Sequence, residues 1–199
     1  MSSKYIIIDG PDGTGKTTLA SLLSEEVESS KKIHFPTRLP EEDDLSDSTT
    51  EILFYLNDFN KNLVQNSHSE KTLILDRSFV STMAYQGFQN SGHKRKDWVI
   101  DTIMGIGSEM IKNRDEVCFV HLTCSTPERI DRLKGKNDQD RIGRLEEEEL
   151  RSKLTELDRT FRRSYSILEK NYSEFTYLQL DSTNSPPESF FKEISKQLS

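Results

Sequence analysis

The chain has 199 residues, 33% of them hydrophobic and 31% charged, with a formal net charge of −7. That length suits a single domain with its own core, and the acidic balance argues against non-specific binding to duplex nucleic acid. No apolar run reaches the length of a membrane span, so neither a nucleic-acid nor a membrane partner is expected.

The chain enters Tyr5-Ile6-Ile7-Ile8-Asp9 almost at once, so no signal peptide is expected. The two cysteines, Cys118 and Cys124, make no disulfide framework, and the setting is read as cytoplasmic. Residues 5–9 are apolar and β-branched, the pattern of a buried parallel strand. Gly10-Pro11-Asp12-Gly13-Thr14-Gly15-Lys16-Thr17 follows, then a run from Thr17 to Glu26 with apolar residues at helical spacing. Ile33-His34-Phe35-Pro36 reads as a second strand stopped by Pro36, and an acidic loop runs through 41–44. Asp47 or Ser48 caps a helix reaching about Gln65, with Ile52, Leu53, Leu56, Phe59 and Leu63 at helical intervals. Thr72–Asp76 is a third strand ending on a carboxylate, and helices are expected over Phe79–Gln86 and Trp98–Ile111. Val117–Leu122 is a fourth strand. Thr126-Pro127 opens a helix with a capping hydroxyl and proline in the first helical position. Lys134–Gly143 is polar and glycine-punctuated, a mobile loop. A long charged helix spans Glu146 to about Lys170, then a strand Phe175–Leu180 and a helix Pro187–Leu198. Strands alternating with helices define an α/β fold. A central five-stranded parallel sheet lies in three layers, with right-handed crossovers and a lid at about 134–147.

The eight residues 10–17 fit G-x-x-x-x-G-K-[ST], a phosphate-binding loop. Gly10, Gly13 and Gly15 let the backbone wrap an anion, and the inward N–H groups of a stretch that includes Asp12, Thr14 and Thr18 form a nest at a helix N-terminus. Lys16 is placed to reach the β- and γ-phosphates of ATP, and the Thr17 hydroxyl to ligate Mg²⁺. Asp76 ends a strand behind the loop, the place of a second Mg²⁺-associated carboxylate, with Arg77 beside it. Arg38 follows a strand–proline turn and can anchor a second phosphate bidentately. These strand ends converge on one crevice. The segment 129–144 holds Arg129, Arg132, Lys134, Lys136, Arg141 and Arg144. A mobile stretch of this kind can supply the cations that the phosphate loop lacks. The plainer alternatives are a surface ion pair at Asp76-Arg77, an exposed loop arginine at 38, and a solvated helix end containing Asp131, Asp138 and Asp140.

Taken together, Gly10 to Thr18, Phe35-Pro36-Thr37-Arg38, the stretch Asp76-Arg77-Ser78-Phe79-Val80-Ser81-Thr82-Met83-Ala84-Tyr85-Gln86-Gly87, Asp140-Arg141 and Leu180-Asp181-Ser182 resemble the thymidylate kinase family over most of the chain. The resemblance implies transfer of the γ-phosphoryl of ATP to the 5′-phosphate of a deoxynucleotide. It implies that Asp12 bonds the sugar 3′-hydroxyl, Arg38 and Arg77 hold the acceptor phosphate, and Phe54 stacks on the base. Tyr85 would crowd the ribose 2′ position, Ser81 and Gln86 would line the acceptor pocket, and Arg132 would join the ATP-binding residues. It also implies a two-fold dimer. Two places depart from the family. Asp58 stands where a base-reading arginine is usual, and the D-R-x-E of the lid is stretched to Asp140-Arg141-Ile142-Gly143-Arg144-Leu145-Glu146, leaving Arg141, Arg144 or both to serve the transition state. An ionised Asp58 offers only acceptors. Either the base carries a donor there, as in dCMP or 5-hydroxymethyl-dUMP, or Asp58 turns away to a lysine such as Lys61 and dTMP is read by Ser81 and Gln86. The acceptor ranked first is dTMP, with dGMP also kept. Rival readings are a nucleoside kinase, a nucleotide-dependent switch and a non-catalytic relative. The switch lacks a guanine-reading N-K-x-D, since Asn60-Lys61-Asn62 is followed by Leu63.

Overall fold

The computed structural model describes residues 4–41, 47–66, 69–89, 97–112, 116–134 and 146–197. Strands β1 (Lys4–Asp9), β2 (Ser30–His34), β3 (Thr72–Asp76), β4 (Glu116–Thr123) and β5 (Thr176–Asp181) form one parallel sheet in the order β2-β3-β1-β4-β5. The register sets Ile8 beside Asp76 and Asp76 beside His34, so the carboxyl ends of the three strands finish level. That alignment brings the segments after β1, β2 and β3 to one edge of the sheet.

Each central strand is buried on both faces, and its residues divide by parity. Tyr5, Ile7, Leu73, Leu75 and Phe119 face a core shared with helices α2 (Ser48–Gln65), α3 (Phe79–Thr82), α4 (Asp97–Ile111) and α6 (Glu147–Asn171). Ile6, Ile8, Ile74, Val120 and Leu122 face α1 (Lys16–Glu26) and α7 (Pro187–Gln197). Three layers result, as the strand–helix alternation requires. Asp47 caps α2, its carboxylate accepting from Thr49 N at 2.7 Å and Thr50 N at 3.0 Å.

Most element ends fall within about a residue of expectation, and three differences change the local reading. β2 begins at Ser30 and its assigned range stops at His34, although Phe35 N still donates to Asp76 O at 2.9 Å. The expected helix over 79–86 is α3 continued by a π-helix, Met83–Gln89; such wide turns cluster at functional sites. Helix α5 (Thr126–Lys134) starts with Thr126 already inside, since Arg129 N donates to Ser125 O at 3.0 Å. Thr126 is therefore not the cap, and Pro127 is the second helical residue. Among the described residues no helix is long and apolar enough to cross a membrane.

His121 of β4 lies 3% exposed between aromatic rings, stacked on Tyr165 at 4.4 Å. Burial, with the Arg162 charge behind it, lowers its pKa to about 4. The unfolded chain binds a proton there at higher pH than the folded one, so this contribution is complete above the unfolded value and lost as pH falls from about 6.5 towards 4. Urea unfolding should show His121→Phe losing less stability than wild type between pH 7 and 5, by on the order of 2 kcal/mol. Parallel pH profiles would contradict this.

Candidate active site

The loop between β1 and α1 carries its glycines at positive φ: +156° at Gly10, +82° at Gly13 and +91° at Gly15. At Gly10 the need is also steric, because a Cβ would sit 2.2 Å from Leu122 O. Lys16 is 5% exposed, with Nζ donating to Pro11 O at 2.8 Å and 3.9 Å from Asp12 Oδ1. Burial and the nearby Arg77 charge lower the Lys16 pKa to about 7. An anion in the loop would hold this lysine charged.

The Thr17 hydroxyl donates to Asp76 Oδ2 at 2.7 Å, and His34 Nδ1 lies 2.7 Å from the same oxygen. Burial opposes the Asp76 charge, but these two contacts outweigh it and lower the pKa. Asp76 Oδ1 is buried with no hydrogen-bond partner among the described residues. A hydroxyl and a carboxylate oxygen therefore stand together beside the loop, the donors a hard cation takes with phosphate oxygens and water. No cluster of three or more His, Cys, Asp or Glu able to hold a metal occurs among the described residues.

Asp9, fully buried, belongs to none of the sequence motifs above. It accepts from Ser78 N at 3.0 Å, Ser78 Oγ at 2.5 Å and Ser81 Oγ, while burial raises its pKa. It clamps the start of α3 to the stem of the loop. Its signal was a carboxylate ending a strand just before the glycines.

Arg77 has φ +80° and its N–H donates to Ile8 O at 2.9 Å. Such strain in a non-glycine residue marks a position held by its surroundings. The turn aims Nη2 at Asp12 Oδ1, 2.7 Å away. Burial works against the Asp12 charge, yet Arg77 and Lys16 hold its carboxyl below the usual range. The Arg77 guanidinium also stands 5.5 Å from the centre of the Tyr85 ring. Beyond this pair opens a cavity of about 190 Å³. Phe35, Tyr55, Phe59 and Tyr85 give it aromatic walls, and Ser81 and Gln86 also line it. A flat heterocycle with one anionic end fits that chemistry.

Five expected acceptor-pocket residues meet at this cavity: Asp12, Arg77, Ser81, Tyr85 and Gln86. Phe54, Arg38 and Asp58 are not among its described lining residues. The Arg38 guanidinium covers the Phe54 ring at 4.3 Å, and the neighbouring Tyr55 and Phe59 reach the cavity instead. Asp58, 7% exposed, accepts from Thr37 N at 2.7 Å and Thr37 Oγ1 at 2.5 Å, with Asn62 Nδ2 at 3.4 Å. Of the two alternatives for Asp58, the carboxylate turns away, but to Thr37 and not to a lysine such as Lys61: a buried carboxylate needs fixed donors, which the Pro36-Thr37-Arg38 turn supplies.

The expectation of one mobile basic segment over 129–144 also fails at its start. Arg129 and Arg132 lie within α5, and Arg129 is fully buried. Arg132 Nη2 donates to Ser182 O at 2.7 Å, beside a second cavity of about 490 Å³ that reaches Thr14, Gly15, Thr18 and Phe190. Lys136, Arg141 and Arg144 lie outside the described residues.

A phosphate loop at the carboxyl edge of a parallel sheet in this strand order, with a cavity on either side, defines a P-loop nucleotide-binding protein. The family model described as an AAA domain matches residues 6–156, and the chain belongs to that family. It is 36% identical over 96 residues to a probable thymidylate kinase 1 of Saccharolobus solfataricus, a match spanning 42% of this chain and 51% of that relative. It is 23% identical to a thymidylate kinase of Limosilactobacillus reuteri, over 98% of this chain and 94% of that one. The fold is shared with thymidylate kinase from Candida albicans, with TM-score 0.66 and 21% identity over 98% and 90% of the two chains. It is also shared with deoxyadenosine kinase from M. mycoides, with TM-score 0.64 and 19% identity over 98% of each chain. The thymidylate kinase resemblance of the sequence is borne out.

Replacing Gly10 tests the loop's geometry. Gly10→Ala should cost at least about 2 kcal/mol in urea unfolding, from strained φ and overlap with β4. Gly105→Ala, whose added Cβ meets nothing within 4 Å, should instead gain up to about 1 kcal/mol. Equal effects at the two sites would contradict the account.

Proposed function

We propose that the protein is a deoxynucleoside monophosphate kinase, with dTMP its first-ranked acceptor. The observation that carries this reading is Arg77, set between the phosphate loop at Asp12 and the aromatic cavity at Tyr85. An acceptor phosphate beside Arg77 lies next to a triphosphate in the loop. A bond then forms from an acceptor phosphate oxygen to the γ-phosphorus, and the bond from that phosphorus to the bridging oxygen breaks to leave ADP. The named relatives support the class. Arg38, following β2 where a nucleoside kinase would hold a carboxylate, supports a phosphorylated acceptor over a free nucleoside.

Lys16 neutralises charge on the β- and γ-phosphates, and Arg77 holds and orients the acceptor phosphate. Mg²⁺ fits Thr17 and the Asp76 oxygen that has no partner among the described residues, and when bound would neutralise charge on the β- and γ-oxygens. Tyr55 and Phe59 flank the acceptor base, with Ser81 and Gln86 at its polar edge. The cavity beside Arg132 takes the nucleoside of ATP. Arg38 anchors the acceptor phosphate, and Asp58 holds the turn that carries it. A closing arginine from Arg141 or Arg144, a two-fold dimer and a cytoplasmic setting belong to the same proposal.

ADP release should be measured with ATP and Mg²⁺ over dTMP, dUMP, 5-hydroxymethyl-dUMP, dCMP, dGMP and thymidine. The proposal expects the highest kcat/KM with dTMP and a fall on the order of 100-fold or more in Lys16→Ala. Turnover of thymidine but no monophosphate would overturn it.

Asp58 supplies a separate test. Asp58→Ala should raise the acceptor KM roughly tenfold, the worth of one or two hydrogen bonds, and leave the order of base preference intact. A changed order would show that Asp58 faces the base.

A further inference from the structure

An anion nest turns successive N–H groups inward, so the matching carbonyls turn outward. Where these are buried, each needs a donor. In this loop the carbonyls of residues 11–14 each have one. Pro11 O accepts from Lys16 Nζ at 2.8 Å and Thr14 Oγ1 at 2.9 Å, and Asp12 O from Arg129 Nε at 2.7 Å. Gly13 O accepts from Arg132 Nη1 at 3.4 Å, and Thr14 O from Ser182 Oγ at 2.8 Å. Arg129 is the costly member of this set. It is 0% exposed and the largest fully buried side chain of the described structure. Its Nη1 donates to Asp158 Oδ1 at 2.5 Å and to Leu154 O at 3.3 Å, both on α6. The loop also packs directly on it, since a Cβ at Gly13 would lie 3.2 Å from Arg129 Cβ.

A buried ion pair of this kind adds little net stability compared with apolar side chains of similar volume. What it does supply here is direction. The planar guanidinium ties one loop carbonyl to two acceptors on one helix, and a single rotamer serves all three. We propose that Arg129 is a positioning residue for the phosphate loop, fixing the Asp12 peptide from behind with Asp158 as its counter-charge. Arg129 is fully buried and acts through the loop's main chain. It sets the main chain of Asp12 while Arg77 sets the side chain, so the loop's inward N–H groups and the Asp12 carboxylate are oriented independently. The inference rests on the proposed function only in needing a phosphate in the loop.

The test uses Mg²⁺–ADP binding by calorimetry alongside thermal unfolding, so it does not depend on which acceptor is correct. Arg129→Met alone strands Asp158 and the Asp12 carbonyl and should lower Tm. The double variant Arg129→Met/Asp158→Leu removes both charges and should recover most of that Tm. Its ADP affinity should stay at least fivefold below wild type. Arg129→Lys, which keeps the charge but not the fork, should show a similar loss of affinity. In active enzyme, the same variants should lower kcat/KM in step with ADP affinity rather than with Tm. ADP affinity within twofold of wild type in both the double variant and Arg129→Lys would overturn the proposal and leave Arg129 a packing residue. Normal ADP behaviour in a protein that phosphorylates no monophosphate would count against the proposed function and not against this inference.

Discussion

Arg77 Nη2 meets Asp12 Oδ1 at 2.7 Å, and the rest of the site depends on that contact. It joins the end of β3 to the loop that leaves β1. It is possible because the two strands are adjacent, parallel and level, with Ile8 beside Asp76. Had the connection between them been a hairpin, the two strand ends would lie at opposite edges of the sheet. The contact also needs the positive φ of Arg77, which the sheet stabilises through the bond from Arg77 N to Ile8 O. A strained backbone is tolerated where its surroundings fix it.

The second constraint is the burial of charge. Asp9, Lys16, Asp76 and Arg129 are each no more than 5% exposed, and burial disfavours every one of those charges. The site answers with specific partners: Ser78 and Ser81 for Asp9, Thr17 and His34 for Asp76, Asp158 for Arg129. Lys16 is the exception. Its nearest fixed partners are a carbonyl and a carboxylate 3.9 Å away, and its pKa falls to about 7. The loop is therefore organised for an anion that supplies the missing charge, which is the electrostatic meaning of a phosphate site.

Much of this was legible in the sequence because its signals are local. The strand before the loop, the glycines, Lys16 and Thr17 are contiguous, and β3 delivers Asp76 and Arg77 together. The strand–helix alternation gave the sheet its parallel sense. What stayed hidden depends on partners far apart in the chain. Asp58 finds Thr37 across 21 residues, and nothing in the helix around it points there. Arg129 finds Asp12 across 117 residues and Asp158 across 29. Set among charged neighbours in a polar stretch, it reads as part of a mobile basic segment or a solvated helix end, whereas the helix turns it into the core. Phe54 followed the same logic in reverse. As an aromatic on α2 it was a candidate wall of the pocket, but the twist of the helix gives Tyr55 and Phe59 to the cavity and leaves Phe54 under Arg38.

The central claim is that one phosphoryl group passes from a triphosphate in the loop to a monophosphate held against Arg77. Phosphorus NMR of the protein mixed with ATP, Mg²⁺ and dTMP observes that event itself. The account predicts loss of the dTMP resonance and the growth of a nucleoside diphosphate α–β pair for dTDP, matched one to one by ADP, with no free phosphate. Free phosphate accumulating while the dTMP resonance stays constant would contradict it, since the loop would then be passing its phosphoryl group to water and the cavity would not be an acceptor site.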